Sequence, residues 1–284
     1  MNIQTCSIVV GTTACNAKCP FCVSKMTNNG CVVSDETINV RNFKKTCILM
    51  DKVGVTTVLL TGRGEPTLYP MQITSYLEML DNRVPFIELQ TNGLLLEKLN
   101  DSIRKWHELG LNTICLSVVS HNRQDNINIY GGDHYDLFDM IHYLHSLGFM
   151  VRLSVMLIDG IIDSMDKFLD LVEFCKMGKV DQLTVRPITV PFEKTKENKD
   201  IYAWTVDHGV SCLFLDDLKD YLNENAVKLL SFDYGAVVYD YAGQNICLSN
   251  CLTEGNGDGN IRQIIFYPDG RLMYSWQYEG ARLL

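Results

Sequence analysis

The chain alternates short apolar runs with amphipathic stretches, and this alternation limits its fold more than any other feature. The apolar runs have the length of strands and cover Ser7–Val10, Val55–Thr61, Phe86–Thr91, Thr113–Val119, Val151–Ile158 and Gln182–Pro187. The stretches between them have helical spacing, and four end at a glycine; they lie near residues 35–53, 70–82, 96–109, 134–147 and 163–178. Five consecutive strand–helix units predict parallel strands with right-handed crossovers, in a doubly wound sheet or a barrel.

The two faces of the predicted strands differ in character. One face is apolar throughout, whereas the other carries Glu88, Gln90, Cys115, Ser117, Arg152, Ser154, Gln182, Thr184 and Arg186. Strands that helices cover on both sides normally read as continuous apolar runs. We therefore expect the polar face to line a cavity, as the interior of an open barrel would; a sheet half exposed to water is the alternative.

Composition and charge exclude several classes of protein. The 284 residues are 46 % hydrophobic and 21 % charged, which is ordinary for a globular chain. The net charge of −9 argues against extensive contact with nucleic-acid phosphates. No long apolar segment or secretion signal is visible, so we expect a soluble cytoplasmic protein with no membrane partner, in which thiols stay reduced. Neither GxGxxG nor GxxxxGK[ST] follows a predicted strand.

Three of the eleven cysteines, Cys15, Cys19 and Cys22, lie within the segment "ACNAKCPFCV". A thioredoxin-like redox pair would not need Cys15, and a zinc site needs four ligands, whereas the next thiol, Cys31, is nine residues further on. Three thiolates on a tight loop after the first strand suit an iron–sulfur cubane with one iron left open. We expect the unclustered cysteines to be buried spectators: Cys6, Cys31, Cys47, Cys115, Cys175 and Cys212.

The C-x3-C-x2-C spacing, with an aromatic residue before the last cysteine, resembles the signature of the radical S-adenosylmethionine (SAM) superfamily. Four further stretches resemble family elements in the expected order: "TGRGEPTL" (61–68, the GGEP element), "LQTNGLLL" (89–96, the TNG turn), "VRLSVMLIDGIID" (151–163) and "LTVRPI" (183–188). The resemblance covers about residues 5 to 190. One departure is Arg63, which replaces the usual first glycine of GGEP; we expect it to be a solvated loop charge.

The resemblance implies a partial (β/α)6 barrel with the site at the carboxyl ends of its strands. It also implies that Cys15, Cys19 and Cys22 ligate a [4Fe–4S] cluster, with SAM on the fourth iron. The residues that would contact SAM are Phe21, Gly64, Glu65, Asn92, Ser117, Arg152 and Ser154. An external donor of the flavodoxin or ferredoxin type would reduce the cluster, and SAM would be cleaved to a 5′-deoxyadenosyl radical that abstracts hydrogen from substrate.

The last ninety residues resemble the SPASM/twitch branch, which includes the GTP cyclase of molybdenum-cofactor biosynthesis. "QNICLSNC" supplies Cys247 and Cys251, and "IRQIIFYPDGRLMYSW" predicts a hairpin that turns at Asp269–Gly270. Ser275 stands where the branch has a further cysteine, so a lost auxiliary site is favoured over an auxiliary cluster on the two remaining thiols. The chain ends in "GARLL" and not Gly-Gly, so it is not identified as that cyclase.

Two domains are expected: the barrel over residues 1–190, and an α+β appendage with the hairpin over residues 191–284, which caps the barrel. The segment 120–134 has the Asn and Gly content of a loop and would lie at the barrel mouth. We therefore name His121, Asn122 and Arg123, together with Arg186, as candidate substrate contacts. His142 and His145 have the spacing of a metal pair, but a surface pair is favoured.

The sequence thus predicts a radical SAM enzyme that abstracts hydrogen from a small, nucleotide-like molecule. A ribosomal peptide is the second candidate substrate, because few residues precede Cys15 and a separate leader-binding domain is not expected. A modifier of nucleic acid is a further alternative that the charge disfavours. From another class, a non-catalytic iron–sulfur carrier or sensor stays open, although such a protein has no need of Glu65 or the TNG turn.

Overall fold

Six parallel strands in chain order form the centre of the structure. The structure is a computed structural model that describes residues 3–26, 37–190, 198–232, 235–249, 261–276 and 280–284. Each strand hydrogen-bonds to the next one along the chain: β1 (Thr5–Val9), β2 (Thr57–Thr61), β3 (Phe86–Thr91), β4 (Thr113–Val118), β5 (Met150–Leu157) and β6 (Gln182–Pro187). All six predicted strands are confirmed, and each observed end lies within two residues of the predicted one.

Five helices pack on the apolar face of this sheet: α2 (Val40–Val53), α3 (Pro70–Leu80), α4 (Asn100–Glu108, after a 3-10 turn at Leu96–Leu99), α6 (Leu137–Ser146) and α7 (Met165–Met177). Two shorter helices, α1 (Val23–Met26) and α5 (Arg123–Tyr130), follow the loops after β1 and β4. Phe43 and Trp106 from the five helices are fully buried in one core cluster that also contains strand residues such as Leu116 and Leu153. Burial of each large apolar side chain stabilises the fold by about 1.5–3 kcal/mol, so this face is the main core.

Three of the four glycines that were predicted to end helices have the left-handed backbone conformation that is typical of that position. Gly54, Gly110 and Gly148 have φ of 80°, 97° and 92°, the left-handed conformation that glycine adopts without strain. Gly178 instead has φ −76°, and the left-handed position is taken by Lys179 at φ 56°. The prediction that α7 ends at a glycine is confirmed, but the reversal of the chain occurs one residue later.

The expectation of a loop over 120–134 is wrong, because α5 occupies Arg123–Tyr130. The Asn122 side chain caps this helix by accepting a hydrogen bond from the Gln124 amide at 2.8 Å. The Asn126 side chain, fully buried, accepts a bond from the Val119 amide at 2.9 Å and donates to the Ser120 carbonyl at 2.8 Å. The asparagines that suggested a loop therefore form the cap and the internal attachment of a short helix.

The C-terminal part extends the same sheet at both of its edges. It contains α8 (Lys199–Asp207), α9 (Cys212–Asn225), β7 (Val227–Ser231), β8 (Val237–Tyr241), β9 (Gln244–Leu248), β10 (Gln263–Phe266) and β11 (Leu272–Met273). The strand order is β11-β10-β1-β2-β3-β4-β5-β6-β9-β8-β7, with β10 parallel to β1 and β9 parallel to β6. The predicted boundary after residue 190 follows β6, and the strands beyond it pair with both flanks of the predicted barrel.

The predicted hairpin is confirmed as the antiparallel pair β10 and β11, with Gly270 at φ 93° in the turn. The fold is therefore mixed α/β, with a parallel core sheet typical of a partial barrel and with antiparallel strands in the C-terminal region. None of the described helices is long and apolar enough to cross a membrane.

The unclustered cysteines divide into two groups. Cys6, Cys47, Cys115 and Cys175 are buried, as predicted. The prediction is wrong for Cys212, which is exposed because it lies at the first residue of α9, while that helix buries Phe214, Leu218 and Leu222. Cys31 lies outside the described residues.

Candidate functional site

The loop that carries Cys15, Cys19 and Cys22 begins just past the carboxyl end of β1, at the edge where parallel sheets place their sites. Two backbone bonds attach it to neighbouring segments: the Glu65 amide donates to the Ala14 carbonyl at 2.9 Å, and the Lys18 amide donates to the Tyr130 carbonyl at 2.9 Å. Cys15 is exposed, and the other two cysteines are half-buried. The loop is thus held in place while its thiols stay accessible.

The three thiols are close enough to influence one another's ionisation. Burial, followed by repulsion from Cys22 and Cys15, raises the pKa of Cys19 to about 12. Burial also raises the pKa of Cys15, although the Ala17 amide donates to its sulfur at 3.4 Å and acts in the opposite direction. The Asn92 side-chain amide lies 4.0 Å from the same sulfur. Binding of a cationic metal centre would displace the protons of the thiols, and the N–H groups of Ala17 and Asn92 would stabilise the Cys15 thiolate.

A single metal ion does not fit the part of the chain that the structure describes, because no three Cys, His, Asp or Glu side chains there could hold one. An iron–sulfur cubane makes a different demand, since each thiolate binds its own iron and the sulfurs need not converge. Three thiols with N–H donors at one sulfur therefore fit a [4Fe–4S] cluster. His142 and His145 form no metal site: His142 packs on Phe138, and His145 contacts Asp181 at 3.1 Å.

Glu65 is the hydrogen-bonding centre between the second and third motifs. Its carboxylate is buried and accepts four bonds: from the Thr67 amide (3.0 Å), the Thr67 hydroxyl (2.6 Å), the Thr91 hydroxyl (2.6 Å) and the Asn92 amide (3.0 Å). Three of these bonds reach Oε1 and one reaches Oε2, so Oε2 keeps an acceptor position. Through the four bonds, Glu65 fixes the loop after β2 to the turn after β3.

Two glycines allow the motif loops to approach their neighbours. A Cβ at Gly64 would collide with the Ala14 carbonyl oxygen, and one at Gly93 would lie 2.6 Å from the Tyr135 hydroxyl. That hydroxyl donates to the Asn92 carbonyl at 3.1 Å. The close contact between the loops therefore requires glycine at these positions of the GEP and TNG elements, independently of any ligand.

The polar face of the strands is largely withdrawn from solvent, whereas the cavity that it was expected to line stays a prediction. The Arg152 guanidinium donates to both oxygens of Glu88, at 2.7 and 2.5 Å, and to the Thr184 hydroxyl at 3.1 Å. Ser154 is buried and Ser117 is half-buried on the same face. Arg152 was predicted to pair with the carboxylate of SAM, and its bidentate position is occupied by Glu88.

Helix α8 contributes contacts that sequence reasoning missed. Trp204 stacks on His208 with ring centroids 4.0 Å apart and lies 6.1 Å from the ring of Phe21, which stands between Cys19 and Cys22. The Asn198 side chain donates to the Met26 carbonyl at 2.9 Å. The only sequence signal was a Trp and a His four residues apart. The two rings border a cavity of about 330 Å³, lined by Asp125, Asn128, Ile129, Ile158, Asp159, Gly160, Ile161, Trp204 and His208.

The predicted substrate contacts at the end of β4 all have local structural partners. His121 stacks on Phe174 of α7 with ring centroids 5.3 Å apart, and burial lowers the pKa of its imidazole. Asn122 caps α5, and Arg123 pairs with Asp133 at 2.7 Å. The buried Nδ1 of His121 has no hydrogen-bond partner among the described residues, and the three side chains stay candidate substrate contacts. Arg186, the fourth candidate, has a different environment and is discussed below.

The predicted auxiliary-cluster ligands lie at the edge of what the structure describes. Cys247, in β9, is paired in register with Thr184 and is half-buried. Burial raises the pKa of its thiol, while Arg186 and Arg152 act in the opposite direction. Cys251 lies outside the described residues, so the pair itself stays a prediction.

The sequence of this chain matches the profile of one protein family and is similar to a group of curated enzymes. A profile of the Radical SAM superfamily matches residues 9–175. The GTP 3′,8-cyclase of Staphylococcus haemolyticus is 28 % identical over 180 residues, which are 60 % of this chain and 50 % of the relative. That of Staphylococcus carnosus is 27 % identical over 172 residues, 58 % of this chain and 48 % of the relative. The chain spans about half the length of these relatives.

Comparison of structures extends the likeness to nearly the whole chain. Streptococcus suis SuiB bound to S-adenosylmethionine superposes with a TM-score of 0.65 at 16 % identity, over 97 % of this chain and 60 % of SuiB. The enzyme anSMEcpe with bound AdoMet gives a TM-score of 0.65 at 15 % identity, over 99 % of this chain and 77 % of that one. At such identities the likeness concerns the fold alone.

Proposed function

Since the chain belongs to the Radical SAM superfamily, we propose that it is an enzyme that binds a [4Fe–4S] cluster and SAM and abstracts hydrogen from an organic substrate. When bound, the reduced cluster and SAM together supply a 5′-deoxyadenosyl radical. The protein's own residues hold these groups, orient them and exclude water. An external flavodoxin or ferredoxin is the proposed source of the electron.

The observation that carries the proposal is the set of contacts that joins three motif loops at one edge of the sheet. The Glu65 amide bonds to the loop before Cys15, and the Glu65 carboxylate bonds to Thr91 and Asn92. The three predicted ligands and the GEP and TNG elements are therefore held together by one residue. A simple iron–sulfur carrier would have no use for this arrangement.

Glu65 takes both a positioning and a binding role in this proposal. Three donors fill its Oε1, whereas Oε2 accepts one bond, from the Asn92 amide, and can accept a further one from the ammonium group of SAM. Its negative charge also lies beside the cysteine loop and favours a cation there. We therefore assign the ammonium contact to Glu65, and to Gly64 the close approach of the backbone.

The remaining proposed SAM contacts come from the elements that flank this junction. Asn92 lies beside Cys15, and Ser117 and Ser154 stand on the polar face of β4 and β5. Phe21 packs towards Trp204 beside Ile158 and Ile161, and these apolar groups suit an adenine ring. Arg152 supports the site through its ion pair with Glu88.

The substrate is proposed as a small molecule, with a ribosomal peptide as the second candidate. The curated relatives are named as GTP cyclases, which favours a small substrate. SuiB has a structure with its precursor peptide SuiA, and anSMEcpe has one with the Kp18Cys peptide, which favours a peptide. An increase in SAM cleavage on addition of a compound or peptide library would separate the two classes.

The test of the proposed function combines iron analysis with detection of 5′-deoxyadenosine. Anaerobically reconstituted protein is reduced with dithionite in the presence of SAM, and the nucleoside is measured by chromatography. We expect release by the natural chain and loss of both iron and release in Cys15→Ala. Cys212→Ala removes an exposed thiol from α9 and should leave both unchanged. Full iron loading without 5′-deoxyadenosine would contradict the enzyme and favour a carrier or sensor.

A further inference from the structure

We infer that Arg186 is the anion receptor of the substrate, and that the substrate carries an oxyanion, a carboxylate or a phosphate, which this guanidinium binds in the barrel interior. This inference deepens the proposed function, because the substrate must enter the same site. It rests on the place of Arg186 in the sheet, on its lack of a counter-ion among the described residues, and on the chemistry of arginine.

The position of Arg186 on β6 directs it to the polar face. Thr184 on the same strand receives a hydrogen bond from Arg152, so residues two positions away stand on that face as well. Arg186 also lies within electrostatic range of the thiols of Cys115 and Cys247, which come from β4 and β9. It thus lies on the polar face near the carboxyl end of β6, within range of side chains from β4 and β9.

Arg186 has no counter-ion among the residues that the structure describes. No described carboxylate lies within 4.0 Å of it, and its buried Nε has no hydrogen-bond partner. The charge of its neighbour Arg152 is neutralised by Glu88. Arg152, Glu88 and Arg186 together therefore carry a net charge of +1. The buried Thr189 hydroxyl, three residues along the chain, is likewise without a partner there.

A half-buried arginine that has no counter-ion among the described residues is a candidate binding site for an anion. The guanidinium does not lose its proton at physiological pH, so it cannot relieve partial burial by becoming neutral. A partly buried charge without a partner is costly, and natural proteins retain one where a ligand completes it. Its planar donors match carboxylate and phosphate oxygens in bidentate fashion. Arg186 is half-buried, so an incoming molecule can reach it.

The carboxylate of SAM is the competing anion, and the sheet order argues against it. The cysteine, GEP and TNG loops follow β1, β2 and β3, whereas Arg186 stands on β6, five strands from β1. The proposed SAM contacts run from the cysteine loop to Ser117 on β4 and Ser154 on β5, and none of them stands on β6, which is left to the molecule that SAM acts upon. Arg186 is therefore placed to orient substrate across the interior from the proposed cluster.

The test is calorimetric titration of the reconstituted chain with inorganic pyrophosphate and, separately, with citrate, at constant ionic strength and with saturating SAM. We expect saturable binding of at least one probe, and the stronger probe identifies phosphate or carboxylate. Arg186→Gln should weaken binding about tenfold, as expected when a charged hydrogen-bonding partner is lost. Arg186→Lys should retain part of it, and Arg104→Gln, which removes an exposed arginine of α4, should bind like the natural chain.

Three results would overturn the inference: no saturable binding of either probe, unchanged affinity in Arg186→Gln, or binding that appears only when SAM is omitted. The last would assign Arg186 to the SAM carboxylate. Circular dichroism of each variant confirms that the chain is folded. Because the titration does not require reduction of the cluster, failure of SAM cleavage and failure of anion binding are separate results.

Discussion

The Thr91 hydroxyl donates a 2.6 Å hydrogen bond to the Glu65 carboxylate, although 26 residues separate them in sequence. Thr91 is the last residue of β3, and Glu65 follows β2, so the bond joins two loops at the carboxyl edge of the sheet. The same carboxylate accepts from the Asn92 amide, which fixes the turn that follows. The site is therefore organised by protein contacts before any ligand binds.

Glu65→Gln should weaken both the fold and the affinity for SAM. If the new NH2 group takes the position of Oε1 it opposes the Thr67 amide, and if it takes the position of Oε2 it opposes the Asn92 amide. We expect a loss of about 2–3 kcal/mol in the free energy of unfolding, measured in urea. Glu78→Gln, which breaks an exposed pair with Lys105, should lose less than about 1 kcal/mol. Equal losses in the two variants would contradict the role of Glu65.

Asn126→Ala should destabilise the segment after β4. The substitution leaves the buried Val119 amide and the Ser120 carbonyl without their partner. We expect the free energy of unfolding to fall by about 2–3 kcal/mol. Asn128→Ala, at an exposed position of the same helix, should change it by less than about 0.5 kcal/mol. A small effect at Asn126 would mean that α5 does not depend on this attachment.

Trp204→Ala should loosen the cysteine loop without unfolding the chain. The indole lies between Phe21 and His208, so its removal opens the apolar wall beside the loop. We expect weaker SAM binding and faster loss of iron during anaerobic dialysis, measured by equilibrium binding and iron analysis. Val206→Ala, which trims a 55 % exposed side chain of the same helix, should behave as the natural chain does. Unchanged iron retention in Trp204→Ala would separate α8 from the site.

The free energy of unfolding should decrease as the pH falls from about 7.5 to 5.5, in part because of His134. Burial lowers the pKa of this imidazole below its usual 6.5; Arg123 acts in the same direction, and the Tyr135 carbonyl and Asp133 oppose it. The unfolded chain therefore binds the proton more tightly, and stability is lost on the acidic side. His134→Gln should make the dependence shallower, whatever its stability at pH 8. An unchanged slope in urea titrations would contradict this assignment.

The six core strands could be predicted because their apolar runs and terminal glycines are local signals. Sequence pattern also separated the polar face from the apolar one, since alternation along a strand needs no knowledge of its neighbours. The attachment of β9 to β6 and of β10 to β1 was not predictable, because register between distant strands leaves no local trace. Helix α5 was missed because Asn favours both loops and helix caps.

The candidate site likewise has features that the sequence predicts and features that depend on contacts between distant residues. The spacing of the three cysteines and the order of the motifs are properties of the sequence alone. The pairing of Arg152 with Glu88, and the absence of such a partner for Arg186 among the described residues, depend on which charged side chains the sheet brings together. Likewise, Trp204 reaches Phe21 only because α8 packs against α1, and the two rings are 183 positions apart in the sequence.

The central claim, that SAM binds the open iron of a cluster on Cys15, Cys19 and Cys22, is tested most directly by electron paramagnetic resonance. Spectra of the dithionite-reduced, reconstituted chain are recorded with and without SAM. We predict a [4Fe–4S] signal that shifts when SAM is added and is absent in Cys22→Ala; a second signal that SAM does not shift would indicate an auxiliary cluster. A cluster signal that SAM leaves unchanged would contradict the account.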